Sequence, residues 1–223
     1  MSQDAQRDRG EVVVPLLRHF PTKFNSGTPG EERSRGHLKI PPDPEAMEKL
    51  GPGAAETLRE LNVSSLRASS LPRARISGKW IADELGIPME VTNDLETWDT
   101  GDKVAGKLEK ETIPLRKKWI KYPDTKPPGG EPFEDFINRA TAEFKTAAEY
   151  NRKHPDAPKA LVVHGHHVIA AEELFNGKEV DPNELDTLDE EFPPGSVMLL
   201  HIRPNDVELE RIHPKGFDKD VRR

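Results

Sequence analysis

Cysteine is absent from the 223 residues, which removes disulfides, thiolate nucleophiles and cysteine-based metal sites. A reducing cytoplasm suits such a chain and is its expected location. Long apolar runs are missing too: none approaches the roughly 18 residues that read as a bilayer-spanning helix, and the N-terminal MSQDAQRDRG is polar and charged. Neither a transmembrane helix nor a secretory signal peptide is therefore expected, and no membrane partner. Positive charge is in short supply, with 33 Lys and Arg against 40 Asp and Glu, a formal net charge of −7. That balance speaks against a dedicated nucleic-acid binder.

What the chain does have is enough length for one substantial α/β core, expected over residues 11–215 between a flexible tail at 1–10 and another at 216–223. Its first apolar stretch, Val12-Val13-Val14-Pro15-Leu16-Leu17, has strand length and is rich in β-branched residues without strict alternation. A strand covered on both faces fits that pattern. Arg18 and His19 follow it, where parallel strands present their carboxyl ends to ligands. A guanidinium fork grips phosphate, and a neutral imidazole can attack phosphorus or move protons near neutral pH. Alone, the pair fits ordinary surface charge better than a site.

Two later blocks repeat the arrangement. Val63–Ala68 reads as a strand, Ser69-Ser70 as a turn, and Arg73–Leu85 as an amphipathic helix stopped by Gly86, so Arg73 stands where a helix N-terminus favours an anion. Ala160–Val163 reads as a strand ending in His164-Gly165, with a helix from Val168 to Leu174. His164, His166 and His167 could hold a metal, but they lack the i, i+4 spacing of helical metal pairs and any His-Glu-x-x-His motif, so no metal is expected. Between these blocks, Pro44–Leu61 has helical spacing behind Asp43 as a cap, and Gly51-Pro52-Gly53 predicts a break in its middle. A long helix is expected from Phe133 to about Arg152. Ser196–Ile202 and Val207–Ile212 predict a closing hairpin. Arg33, Arg35 and His37, in the loop at 26–43, read as solvated surface with reach toward an anion. Residues 172–192, with nine acidic residues and one lysine, read as a solvated loop or partner surface.

Arg18-His19-x-x-Thr22-x-x-Asn25, Ser70-Leu71-Pro72-Arg73-Ala74 and the strand ending at His164-Gly165 together resemble the signatures of the histidine phosphatase superfamily, the phosphoglycerate mutase-like proteins. That resemblance implies a three-layer α/β sandwich with a mostly parallel mixed sheet flanked by helices. It also implies that His19, His164, Arg18 and Arg73 are catalytic and that Asn25, Thr22, Arg18 and Arg73 bind a small phosphorylated substrate. The implied reaction is metal-independent hydrolysis of a phosphomonoester through a phosphohistidine on His19, without a cofactor. A catalytically impaired phospholigand-binding protein is the alternative, and a mutase-type phosphotransferase comes third.

The chain departs from the family pattern in two places. Phe20 replaces a glycine, which is expected to narrow the pocket floor or change the turn. Thr97 stands at the position of the usual general-acid Glu, leaving Asp99 as a weak substitute that could equally cap a turn, and Glu131 as a further candidate. Trp98-Asp99-Thr100-Gly101 is similar to a Trp-Asp/Asn-x-Gly block that some relatives carry. An insertion at about 103–130, holding eight Lys or Arg against three acidic residues within 103–128, is expected to cover the pocket or to form an exposed helix with wet lysines.

Overall fold

The computed structural model describes residues 10–25, 31–175, 180–183, 185, 192–203 and 206–212. In chain order the elements are β1 (Val12–Arg18), α1 (Pro44–Glu60), β2 (Ser65–Ser69), α2 (Pro72–Leu85), β3 (Met89–Thr92), α3 (Glu109–Lys121), α4 (Phe133–Lys153), β4 (Lys159–Val163), α5 (His166–Phe175), β5 (Val197–Arg203) and β6 (Asp206–Ile212). One six-stranded sheet runs in the order β3-β2-β4-β1-β5-β6. Its first four strands are parallel, and β5 turns antiparallel between β1 and β6. No helix of the described residues is long and apolar enough to cross a membrane.

Side-chain alternation divides the core into two layers. Val12, Val14 and Leu16 of β1, with Leu161 and Val163 of β4, face α4 and α5; Leu17, Ala160 and Val162 face α1 and α2. β1 is thus buried on both faces, which is why its apolar residues run together. Arg67 in β2 faces the α4 side, where its guanidinium grips Glu143 with Nε to Oε2 at 2.6 Å and Nη2 to Oε1 at 3.0 Å. Burial there is tolerated because fork and carboxylate satisfy each other.

Helix α1 departs from expectation. It continues through Gly51-Pro52-Gly53, with Asp43 capping its first turn through Glu45 N–H at 3.0 Å. Pro52 lies on the exposed side, where water can solvate the carbonyl that loses its donor. The flanking glycines are buried, and a Cβ on Gly51 would lie 2.6 Å from the Trp80 ring, so the glycine lets α1 and α2 approach closely. Element boundaries also move: the second strand begins at Ser65, its following helix at Pro72, and the helix after β4 at His166. The four-residue edge strand β3 had no sequence signal, because its residues are at best half-buried. The tails at 1–9 and 216–223 and most of the acidic run lie outside the described residues.

Candidate active site

Register sets the first part of the site. Arg18 of β1 lies beside Val163 of β4, so His19 and His164 leave the sheet at the same level. Their ring centroids are 5.1 Å apart. His19 is buried, and its Nδ1–H donates to the Phe20 carbonyl at 2.7 Å, which leaves Nε2 as the unprotonated nitrogen. Burial holds its pKa well below the ordinary 6.5, reinforced by Arg73, Arg18 and Arg35. His164 is similarly lowered, by burial first and then by Arg73. Ser69 Oγ accepts from Leu71 N–H and lies 2.8 Å from His164 Nε2, where its hydroxyl can donate to Nε2 when His164 carries its proton on Nδ1. That Nδ1 has no hydrogen-bond partner among the described residues.

Two buried guanidiniums stand beside these rings. Arg18 donates through Nη1 to the Phe192 carbonyl, and Arg73 is oriented by the carbonyls of Gly36 at 2.8 Å and Leu38 at 3.2 Å. Burial, then Arg35 and Arg18, bring the Arg73 pKa down to about 9, so it remains charged at neutral pH. Arg18, His19, Arg73 and His164 line one cavity of about 110 Å³.

The roof of that cavity comes from elsewhere in the chain. Arg33 and Leu108 form a β-bridge, Ser34 N–H bonds the Lys107 carbonyl at 2.9 Å, and Ser34 Oγ meets Thr112 Oγ1 at 2.8 Å. These contacts stitch the loop at 31–38 to α3 and bring Arg35, Glu109 and Arg116 to the cavity wall, with His166 of α5 and Thr97 beside them. Lys110, Lys118 and Lys121 of α3 stay exposed, so of its basic residues only Arg116 lines the cavity. The segment thus contributes Glu109, Ile113 and Arg116 to the cavity wall while these lysines face water. The sequence singled out His166 only as a possible metal ligand, and the reach of Arg35 depends on the Ser34–Thr112 contact between segments far apart in sequence.

Several candidates lie away from the cavity. Thr22 and Asn25 close a turn on each other: Thr22 N–H and Oγ1 both approach Asn25 Oδ1, at 3.2 and 3.1 Å, while Asn25 N–H bonds the Thr22 carbonyl. Neither lines the cavity. Asp99 is spent on local structure, its Oδ1 accepting from Gly101 N–H at 3.0 Å. Glu131 Oε1 accepts from Asp99 N–H at 3.0 Å and from Arg139 at 2.6 Å, so it clamps loops together. Phe20 does not narrow the floor. Its ring is fully buried against Trp80 on the α1–α2 side, and its N–H is held by Ser77 Oγ at 2.9 Å. His167 packs among Phe136, Phe144 and His164 in the core, and among the described residues no group of three His, Asp or Glu is arranged to hold a metal.

The clamp behind Thr97 leaves no space at Gly130, where a Cβ would overlap the Asp99 carbonyl oxygen. That oxygen and the Gly101 nitrogen beside it are backbone atoms, so the clash cannot relax through a rotamer. Gly130→Ala is expected to cost about 3 kcal/mol and lower Tm by roughly 6–12 °C, read by thermal denaturation.

The chain matches the histidine phosphatase superfamily (branch 1) over residues 16–213. It belongs to that superfamily. Within it, the phosphatase PhoE of Bacillus subtilis (strain 168), described as uncharacterized, is 25% identical over 154 residues, covering 69% of this chain and 72% of that protein. Two solved structures share the superfamily fold. Mycobacterial hydrolase 2 has a TM-score of 0.68 at 20% identity over 92% of this chain and 90% of that one. The mycobacterial glucosyl-3-phosphoglycerate phosphatase has a TM-score of 0.66 at 20% identity over 90% and 97%, and its structures include complexes with VO3 and with inorganic phosphate.

Proposed function

We propose that this chain is a phosphatase, a phosphoric monoester hydrolase that works through a phosphohistidine on His19. One observation carries the reading: two neutral imidazoles 5.1 Å apart share a small cavity with two buried guanidiniums, one from the end of β1 and one from the first turn of α2. Arg18 and Arg73 supply charge-assisted hydrogen bonds to the phosphoryl oxygens, each worth roughly 1.5–3 kcal/mol. His19 Nε2 attacks phosphorus with its lone pair as the ester P–O bond breaks, and the departing oxygen takes the bond's electrons and a proton from solvent water. His164 Nδ1–H donates to the charge spreading over the equatorial oxygens. Water then attacks the phosphohistidine, releasing inorganic phosphate and restoring the imidazole. No step calls on a metal or cofactor.

A second reading, phospholigand binding without turnover, is favoured by one feature. Thr97 stands at the cavity where relatives have a carboxylic acid, and Asp99 is committed to its turn. Aryl esters, whose leaving groups depart without help, bypass the need for an acid, whereas alkyl esters depend on one.

The test uses p-nitrophenyl phosphate with excess chelator, together with rapid quench after mixing with a phosphorus-labelled aryl ester. The expected result is chelator-resistant turnover and an acid-labile, base-stable label on His19. Phosphate binding without either would establish the second reading, and activity abolished by chelator alone would overturn the mechanism.

A further inference from the structure

One titratable ring at the cavity has no part in the chemistry so far. His166 opens α5 and lines the cavity, and its Nε2 is buried with no hydrogen-bond partner among the described residues. A buried polar nitrogen left unpaired is costly unless a bound group completes it. The other nitrogen is anchored: Nδ1 lies 3.0 Å from Thr97 Oγ1, and Trp98 and Phe136 stand edge-on to the ring at 5.7 and 6.3 Å. A hydroxyl can accept from Nδ1–H in the neutral and in the charged ring alike, so Nε2 is a lone pair in one form and an N–H in the other.

Position suits this nitrogen to the leaving group. Arg18 and Arg35 act on both His19 and His166, whereas Arg116 is the foremost charge acting on His166 and does not figure among those acting on His19 or His164. His166 therefore sits toward α3, away from the attacking nitrogen, and an in-line displacement sends the ester oxygen to that side. Burial, then Arg116, His167, Arg35 and Arg18, hold its pKa well below the ordinary 6.5, so a proton on Nε2 is readily given up. An incoming phosphate dianion offsets those guanidiniums and favours the charged ring. The cavity's other groups with a transferable proton are occupied: His19 attacks, His164 donates to the phosphoryl oxygens, and Glu109 Oε1 lies 3.7 Å from Arg116 Nη2 and 4.0 Å from Arg35 Nη2.

We propose that His166 is the general acid for the ester oxygen and then the general base for water, with Thr97 as its positioning residue; the assignment rests on the phosphatase reading. As His19 Nε2 bonds to phosphorus and the P–O bond breaks, the ester oxygen takes the bond's electrons and the Nε2 proton of His166, in place of one from solvent. The neutral ring then removes one proton from the attacking water. The remaining hydroxide bonds to phosphorus, the P–N bond returns its electrons to His19, and His166 recovers the proton it gave.

The test compares kcat/KM for p-nitrophenyl, phenyl and ethyl phosphate, since an acid matters least for p-nitrophenolate and most for ethoxide. His166→Gln is expected to lower the value for ethyl phosphate about a hundredfold and that for p-nitrophenyl phosphate less than about threefold, widening their ratio at least tenfold. A loss of packing alone would lower all three alike. Thr97→Val keeps the ring and removes its hydroxyl partner; it should widen the same ratio severalfold and carries the test if His166→Gln does not fold. Glu109→Gln should leave the ratio unchanged. A ratio unmoved in the folded His166 or Thr97 variant, or widened equally by Glu109→Gln, overturns the assignment, as does an unmodified protein that hydrolyses p-nitrophenyl but not ethyl phosphate. No turnover of p-nitrophenyl phosphate at all counts instead against the phosphatase reading, and removes this role with it.

Discussion

Replacing His19 by alanine is expected to lower kcat toward p-nitrophenyl phosphate by about ten-thousandfold or more, while the dissociation constant for inorganic phosphate changes less than about tenfold. The split follows from the division of labour at the site. Removing the imidazole abolishes the proposed covalent route altogether, but leaves Arg18 and Arg73 on separate elements with their own anchors, the Phe192 carbonyl for one and the Gly36 and Leu38 carbonyls for the other. His164→Ala should be milder, about a hundred- to a thousandfold in kcat, because it removes a donor to the developing charge and spares the attacking atom. Stopped assays with thermal melts on the same samples separate chemistry from folding. Near-equal losses in kcat for the two variants would contradict the assignment of distinct roles.

Acid is expected to unfold the unliganded protein unusually early. His19, His164, His166 and His167 are all buried with pKa values lowered, chiefly by burial, and His167 is brought down to about 3. In the unfolded chain each titrates near its ordinary 6.5. Below that pH the unfolded state binds protons that the native state refuses, so stability is full above 6.5 and falls as pH drops toward the native values. Each histidine contributes about 1.4 kcal/mol per pH unit, and four together roughly 5 kcal/mol per unit. Against a total stability of about 5–15 kcal/mol, the fold should fail within roughly one to three units below 6.5. Denaturant titrations at stepped pH measure the slope. His167→Met isolates one contribution outside the proposed chemistry: it should flatten the slope by about 1.4 kcal/mol per unit and leave stability at pH 8 within about 1.5 kcal/mol. A slope indifferent to His167 would mean that the native state accepts its proton after all.

The floor of the site could be read from the sequence because each of its parts is local. A β-branched run ending in Arg18-His19, a strand-turn-helix start at Arg73 and a strand ending at His164 each announce themselves within about ten residues, and parallel pairing then brings them level. Failures arose where a residue's partner is distant or its direction is set by packing. Phe20 looks like an obstruction at the tip of β1, yet the space beside Trp80 draws its ring to the other side of the sheet. Asp99, Thr22 and Asn25 carry suitable oxygens, but nearby N–H and hydroxyl groups claim them first, as short polar side chains in turns commonly do. Arg35, the α3 pair Glu109 and Arg116, and His166 meet only through tertiary contacts between segments at least 50 residues apart, beyond the reach of any local pattern. The continuous α1 had the opposite cause: Gly51-Pro52-Gly53 has the composition of a break, and close packing against α2 overrides it.

The backbone at the tip of β1 is pinned from both sides. His19 N–H bonds the Val163 carbonyl and Arg18 N–H the Ser196 carbonyl, each at 3.0 Å, while Gly195 N–H reaches back to the carbonyls of both residues. The roof loop at 31–38 is tied instead to α2, where the Gly36 and Leu38 carbonyls hold the Arg73 guanidinium. A displacement of that loop would therefore carry Arg73 with it while the His19 ring, moored in the sheet, stays at its station.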